Sequence, residues 1–311
     1  MADVVHADRI EFDVVSHCNL RCYGCGHFSP FAETWFASPD AFERDVSTLS
    51  KYLHARMVRL IGGEPLLHPD LLDFVRIARR SAIADYVEVG TNALLLARQP
   101  REFWQTVDSV QISLYPECRE HVDLRLIRRL AAASGTKLVL EGRPAFIEPA
   151  VDFPTERARL VRHIFSACIV GRYCRTIRNG RLYRCAESAY IDDYLSRLGY
   201  NTSFGQTDGL LIEERDDMVG RIRALFRSPR PLGACTFCLG SVGRPIVHRQ
   251  MTKEEVADPV RWRRAEDLVD TAALKATLRW IKCWPALGRM PKPLRRAVSL
   301  ILQPRWLLEP E

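Results

Sequence analysis

Apolar and polar positions alternate with two different periods in the first half of the chain. Ile10–Val15 (IEFDVV), Met57–Ile61, Tyr86–Gly90, Val110–Leu114 and Lys137–Leu140 are short apolar or alternating runs that predict strands. Between them lie helical patterns. Ser38-Pro39-Asp40 supplies an N-cap and a first-turn proline for a helix reaching about Ala55. Pro69–Ser81 is amphipathic at helical spacing, and Arg119–Ala133 forms a third helix. Strands alternating with helices predict an α/β fold on a parallel sheet, with right-handed crossovers. Ligands of such sheets sit at the carboxyl ends of the strands. Two segments therefore share one cavity: the cysteines after the first strand, and Gly62-Gly63-Glu64-Pro65 after the second.

After about residue 150 the pattern changes. Thr176–Arg184 alternates around Asn179-Gly180, a hairpin turn signal. Gly209–Arg227 reads as a helix, and Cys235-Thr-Phe-Cys238 follows it. The segment beyond 250 is helical, basic and punctuated by Pro285, Pro291, Pro293 and Pro304. These shifts divide the chain into residues 1–150, a small metal-held module at 151–250, and a helical basic extension at 251–311.

The chain has 311 residues, 47% of them hydrophobic, so a full core is expected and global disorder is not. The start, MADVVHADRI, lacks a basic stretch followed by an apolar one, and no run is long enough to span a bilayer. The expected location is the cytoplasm. A net charge of +7 is mild, and no basic–aromatic motif specifies nucleic acid.

The ten cysteines change the picture. They fall into groups at 18/22/25, 168/174/185 and 235/238, with Cys118 and Cys283 apart. Grouped thiols in a reducing compartment point to metal or catalysis before disulfides. Cys18-x3-Cys22-x2-Cys25 places three thiolates on one tight loop with no second pair nearby, whereas structural zinc wants four closed ligands. Three sulfurs on a four-iron cluster leave one iron open.

CNLRCYGC at 18–25, followed by GGEP at 62–65, resembles the radical S-adenosylmethionine (SAM) superfamily. The resemblance implies a partial (β/α)5–6 barrel, a [4Fe–4S] cluster on Cys18, Cys22 and Cys25, and SAM on the open iron. It also implies contacts from Gly62, Gly63, Glu64 and Pro65 to the methionine end of SAM, and from Thr91, Asn92 and Ser113 to its ribose. Family members carry an aromatic residue just before the third cysteine. Here Gly24 stands there and Tyr23 precedes it, so Tyr23 is the candidate adenine contact. Cys22–Pro30, Cys-x2-Cys-x-His-Phe-Ser-Pro, resembles a subgroup found in carbohydrate and cell-envelope pathways.

The later cysteines resemble the twitch module, a short form of the SPASM domain that holds an auxiliary [4Fe–4S] cluster. Cys168, Cys185, Cys235 and Cys238 are its expected ligands, with Cys174 a rival for Cys168 and zinc an alternative metal. The activity implied is hydrogen abstraction from a sugar or aminocyclitol carbon by a 5′-deoxyadenosyl radical. The auxiliary cluster would take an electron and leave a ketone, as in radical SAM dehydrogenases. Alternatively Cys118 or Cys174 would return hydrogen, as in radical epimerases. Arg143, at the end of the fifth strand, would bind substrate or act near the abstracted hydrogen. A flavodoxin- or ferredoxin-type electron donor is the implied partner. Peptide modification is disfavoured because about nine residues precede the first strand, and a zinc-stapled binding protein is the non-enzymatic alternative. The tail residues Lys292, Arg295, Arg296 and Arg305 suggest a membrane contact, with a packed helix preferred.

Overall fold

The computed structural model describes residues 4–259 and 262–287, and the basic tail residues singled out above lie outside them. Five parallel strands form the frame: β1 (Val5–Val15), β2 (Leu53–Gly62), β3 (Ala84–Thr91), β4 (Ser109–Leu114) and β5 (Lys137–Gly142). The crossovers carry helices α1 (Pro39–Leu49), α2 (Leu71–Ser81), α3 (Arg101–Thr106) and α4 (Leu124–Ser134). The expected α/β architecture on a parallel sheet is present. The sheet is open, with the order β5-β4-β3-β2-β1 continuing into later strands.

Local chemistry explains the boundaries. The Ser38 hydroxyl accepts the Ala41 N–H at 3.4 Å and Pro39 opens α1. The helix stops at Leu49, short of the expected Ala55, because Leu53 already pairs with Val5 in the sheet. Asp123 caps α4 through the Leu126 N–H, so the expected helix from Arg119 is a 3-10 turn (Pro116–His121) followed by a shorter α-helix. On α2, Leu71, Phe74, Val75 and Ala78 repeat at i, i+3, i+4 and i+7 and are all buried. Phe74 meets Phe42 of α1 and Phe12 of β1 with ring centroids 5.2 and 6.0 Å apart. Full burial of each such ring stabilises the layer by about 1.5–3 kcal/mol.

The second half extends the same sheet. After β6 (Ala145–Ile147), α5 (Ala158–Ala167) and α6 (Val170–Tyr173) comes β7 (Thr176–Arg178), which pairs parallel with β1. Asn179 and Gly180 take φ of 49° and 71° and turn β7 into β8 (Arg181–Tyr183), the expected hairpin. Helices α7 (Ala186–Arg197) and α8 (Phe204–Thr207) lead to β9 (Leu210–Leu211) at the sheet edge and α9 (Met218–Arg227). The helix expected over 209–227 thus starts at Met218, because Leu210 and Leu211 pair with β8 instead.

Strand β10 (Pro245–Val247) pairs antiparallel with β6, and α10 (Lys253–Ala257), α11 (Ala265–Leu268) and α12 (Thr271–Leu287) close the described chain. No helix among the described residues is long and apolar enough to cross a membrane.

Candidate active site

The carboxyl ends of β1 to β5 open into one cavity of about 380 Å³. Its wall includes Cys18, Cys22 and Cys25 from the loop after β1, and Gly62, Gly63 and Glu64 from the end of β2. Thr91 and Asn92 follow β3, Ser113 lies in β4, and Arg143 follows β5. Topology therefore gathers residues that are up to 125 positions apart in sequence into one place.

The two glycines allow the loop after β2 to lie against the cysteine loop. A Cβ on Gly62 would sit 2.1 Å from the Val15 carbonyl oxygen, and one on Gly63 would sit 1.9 Å from that of His17. The same contact is hydrogen bonded: the N–H groups of Gly63 and Glu64 donate to Val15 and His17 at 2.8 and 3.1 Å. The Glu64 side chain is buried and points toward β3. It accepts from Thr91 Oγ1 at 2.7 Å, Asn92 N at 2.8 Å and Leu66 N at 3.1 Å. Burial pushes its pKa up to about 7 against these bonds. Asn92 then reaches the cysteine loop, donating through Nδ2 to Asn19 Oδ1 at 2.7 Å.

Within the His-Phe-Ser-Pro stretch, His27, Ser29 and Pro30 line the cavity and Phe28 has a packing role. Phe28 adopts φ of 52° and stacks on Tyr194 of α7, with centroids 5.5 Å apart. It anchors the cysteine loop in a second core built from Tyr183, Tyr190, Ile191, Leu195 and Phe237. Burial raises the Cys22 thiol to about 12, and the neighbouring Cys25 thiolate adds to the shift. Burial likewise pushes Cys18 and Cys25 upward. Three desolvated thiols within one another's field are costly as free thiolates, and bound iron removes that cost. The residues present fit a cluster.

Cys168, Cys185, Cys235 and Cys238 form a second group outside the cavity lining. Burial dominates the raised pKa of each, and the field of the neighbouring cysteines adds to those of Cys185, Cys235 and Cys238. Backbone N–H groups of Gly171 and Gly240 donate to Cys168 and Cys238 sulfurs at 3.3 and 3.2 Å. Among the described residues no three His, Cys, Asp or Glu side chains converge to the spacing of a single metal ion. All nine described cysteines are free. Cys174 is set apart from this group. It lines the cavity and accepts from Arg9 Nη2 at 3.0 Å.

Three expected site residues lie elsewhere. Cys118 is buried in the 3-10 turn after β4 and does not line the cavity. Pro65 starts the turn after Glu64 and is also outside the lining. Tyr23 faces away: its hydroxyl meets Glu148 and Arg263 at 3.3 Å, and Arg249 covers its ring at 4.4 Å. The reason is Gly24, whose φ of 78° and close approach to Ile246 of β10 turn the preceding side chain outward.

Other lining residues were not among the expected ones. Arg9 of β1 and Arg59 of β2 border the cavity, as do Gln111, Glu141 and Glu187. Glu11 is there too, whereas Asp13 is buried outside the lining. Arg9 pairs with Glu11 at 3.2 Å, and Arg59 bridges Glu88 at 2.6 Å and Glu11 at 3.6 Å. Strand parity was the available signal, since positions 9 and 11 share one face of β1. Glu187 comes two residues after Cys185; it lines the cavity, and its field adds to the raised pKa of Cys168, Cys185, Cys235 and Cys238.

Residues 13–115 match the model of the radical SAM superfamily. The chain carries a radical SAM domain. SAM and a [4Fe–4S] cluster are the cofactors of this family. Among curated proteins, the chain is 37% identical over 109 residues to a GTP 3′,8-cyclase of Chlorobaculum tepidum, covering 34% of this chain and 32% of that protein. It is 25% identical to the Rhodopirellula baltica GTP 3′,8-cyclase, covering 60% of this chain and 51% of the relative. A 7-carboxy-7-deazaguanine synthase of Halobacterium salinarum is 35% identical, covering 26% and 30%. The chain thus spans a third to a half of the cyclases it matches. A solved structure of BtrN with AdoMet and 2-DOIA covers 76% of this chain and 86% of its own at 17% identity, with a TM-score of 0.43.

These relatives correct the functional expectation. By name they cyclise GTP or make a deazaguanine, so oxidation of a sugar or aminocyclitol is withdrawn. The epimerase, peptide-modifying and zinc-stapled alternatives are withdrawn with it.

Proposed function

We propose that this chain is a radical SAM enzyme that abstracts a hydrogen atom from a small anionic substrate of the guanine nucleotide class. The observation that carries this reading is the placement of Arg9, Arg59 and Arg143 around the same cavity as the three thiols. Guanidinium groups recognise phosphate by paired hydrogen bonds. The same wall presents Glu11, Glu141 and Glu187, and carboxylates accept from the N–H donors of a guanine edge. The names of the relatives point to the same substrate class.

Cys18, Cys22 and Cys25 would hold a [4Fe–4S] cluster, which would supply the electron for reductive cleavage of SAM. The protein's part is position. Gly62 and Gly63 let the loop after β2 lie directly against the cysteine loop, and Asn92 and Ser113 line the same wall. Arg9 keeps its charge despite burial, because Glu11 and Cys174 more than offset the desolvation.

Cys168, Cys185, Cys235 and Cys238 are assigned to an auxiliary [4Fe–4S] cluster. The division into a partial barrel at 1–150, an auxiliary module at 151–250 and an extension at 251–311 belongs to this reading. So does a flavodoxin- or ferredoxin-type electron donor.

The test is anaerobic turnover of the reconstituted full chain with SAM, dithionite and a panel of guanine nucleotides. The expected result is 5′-deoxyadenosine formation stimulated by a nucleotide, with deuterium from the labelled nucleotide in the product. SAM cleavage that no guanine nucleotide stimulates would overturn the substrate class.

A further inference from the structure

The segment after β10 crosses back over the cysteine loop. Gln250 forms an isolated antiparallel bridge with Cys22. The bridge is framed by Tyr23 N–H donating to the Arg249 carbonyl at 2.9 Å and Met251 N–H donating to that of Arg21 at 2.7 Å. The crossing brings two side chains, His248 and Gln250, onto one sulfur. His248 Nε2 lies 3.3 Å from Cys22 Sγ, and Gln250 Nε2 donates to it at 3.5 Å.

Both side chains are fixed by other contacts. The His248 ring stacks on Tyr115 with centroids 4.5 Å apart and meets Phe146 edge-on. Gln250 Oε1 accepts the Arg21 N–H at 2.6 Å, which leaves its NH2 group facing the sulfur. An iron-bound thiolate can only accept, so His248 must carry its proton on Nε2. Its Nδ1, buried and without a partner, is then a bare acceptor rather than a stranded donor.

We propose that His248 and Gln250 are positioning residues that set the reduction potential of the SAM-cleaving cluster by donating two hydrogen bonds to the Cys22 sulfur. Hydrogen bonds to cluster sulfurs spread their negative charge and favour the reduced form. Removing either donor makes the cluster harder to reduce. The inference rests on the cluster at Cys18, Cys22 and Cys25 and is independent of the substrate.

The experiment is a redox titration of the reconstituted full chain, followed by the electron paramagnetic resonance signal that changes when SAM is added. His248→Phe keeps the ring between Tyr115 and Phe146 and loses the N–H. Gln250→Glu keeps the acceptor for Arg21 and replaces the donor with a carboxylate oxygen. At a fixed potential the reduced-to-oxidised ratio of that signal should fall about threefold in His248→Phe, and about tenfold in Gln250→Glu, a shift of ~59 mV for one electron. Glu117→Gln is the control, because Glu117 holds the crossing segment through the Gln250 N–H at 3.0 Å without touching the sulfur. It removes a nearby negative charge and keeps an acceptor for Gln250, so it should not lower the ratio.

Equal ratios in wild type and both variants would overturn the proposal, as would an equal shift in Glu117→Gln. Should His248→Phe lose its iron, Gln250→Glu alone decides. A wild-type chain that holds no SAM-responsive cluster would sink the cofactor assignment instead.

Discussion

The Thr91 hydroxyl donates to Glu64 Oε1 at 2.7 Å, joining the end of β3 to the loop after β2. With Asn92 N–H on the other carboxylate oxygen, it ties together the ends of β2 and β3. Glu64→Gln replaces one acceptor oxygen with a donor that faces either Asn92 N–H or the Thr91 and Leu66 donors. A stranded buried donor costs about 1–3 kcal/mol. The expected outcome is a lower thermal midpoint of the iron-free protein together with weaker SAM binding by calorimetry. Thr91→Val should reproduce the smaller part of the loss, since the backbone bonds to Glu64 remain. A Glu64→Gln protein as stable as wild type would show that the carboxylate does not hold the strand ends.

Gly63 is predicted to tolerate no side chain. Its Cβ would meet the His17 carbonyl carbon at 2.2 Å and Cys18 N at 2.8 Å, both backbone atoms that move only with the cysteine loop. Displacing a reacting group by about 1 Å is enough to cost roughly a hundredfold in rate. Gly63→Ala should therefore form 5′-deoxyadenosine at least about a hundredfold more slowly, with the far-ultraviolet circular dichroism of wild type. Gly142 at the end of β5 has open space around it, so Gly142→Ala serves as the tolerant comparison.

Much of the frame was visible in the sequence, because apolar periodicity reports which faces are buried and the cysteine and glycine motifs are local. What stayed hidden depends on contacts between distant segments. The start of β2 at Leu53 is set by pairing with Val5, which outweighs the helical signal before it. Tyr23 was expected at the SAM site, but Gly24 packs against Ile246, more than 200 residues later, and turns the ring away. Arg59 looked like an ordinary strand residue and Arg9 lay just before the expected first strand, which in fact begins at Val5, until the sheet placed both beside the same cavity. Substrate class is the expectation that the relatives overturned, since the cysteine and glycine motifs contain no residue that selects a substrate.

A buried ionic network makes acid stability measurable. Asp152 accepts from Arg263 Nη2 at 2.9 Å and from the Tyr194 hydroxyl, and Arg263 also pairs with Glu148. Burial alone would raise the Asp152 pKa, but the bonds from Arg263 and Tyr194 outweigh it, and the folded value lies below the ordinary one of 3.8. The sign follows. Above 3.8 this carboxylate contributes its full stabilisation, and the contribution is lost as pH falls through the depressed folded value. Asp152→Asn should thus destabilise at neutral pH and show a shallower acid limb in pH-dependent melting. Removing one partner of a buried pair costs about 3–5 kcal/mol. Identical acid limbs in wild type and Asp152→Asn would refute the assignment.

The two thiol groups are predicted to separate by substitution. Replacing Cys18, Cys22 and Cys25 with alanine should abolish 5′-deoxyadenosine formation and remove about four of roughly eight irons, the content of two four-iron clusters. Replacing Cys168, Cys185, Cys235 and Cys238 should also remove about four irons, yet leave SAM cleavage under dithionite measurable, because none of these thiols lines the cavity. Substrate conversion should be lost in both. Cys174→Ala discriminates further: its sulfur is bonded to Arg9 at the cavity wall, so iron content should stay at the wild-type level. Loss of about four irons in Cys174→Ala, with Cys168→Ala unaffected, would exchange the two residues as ligands.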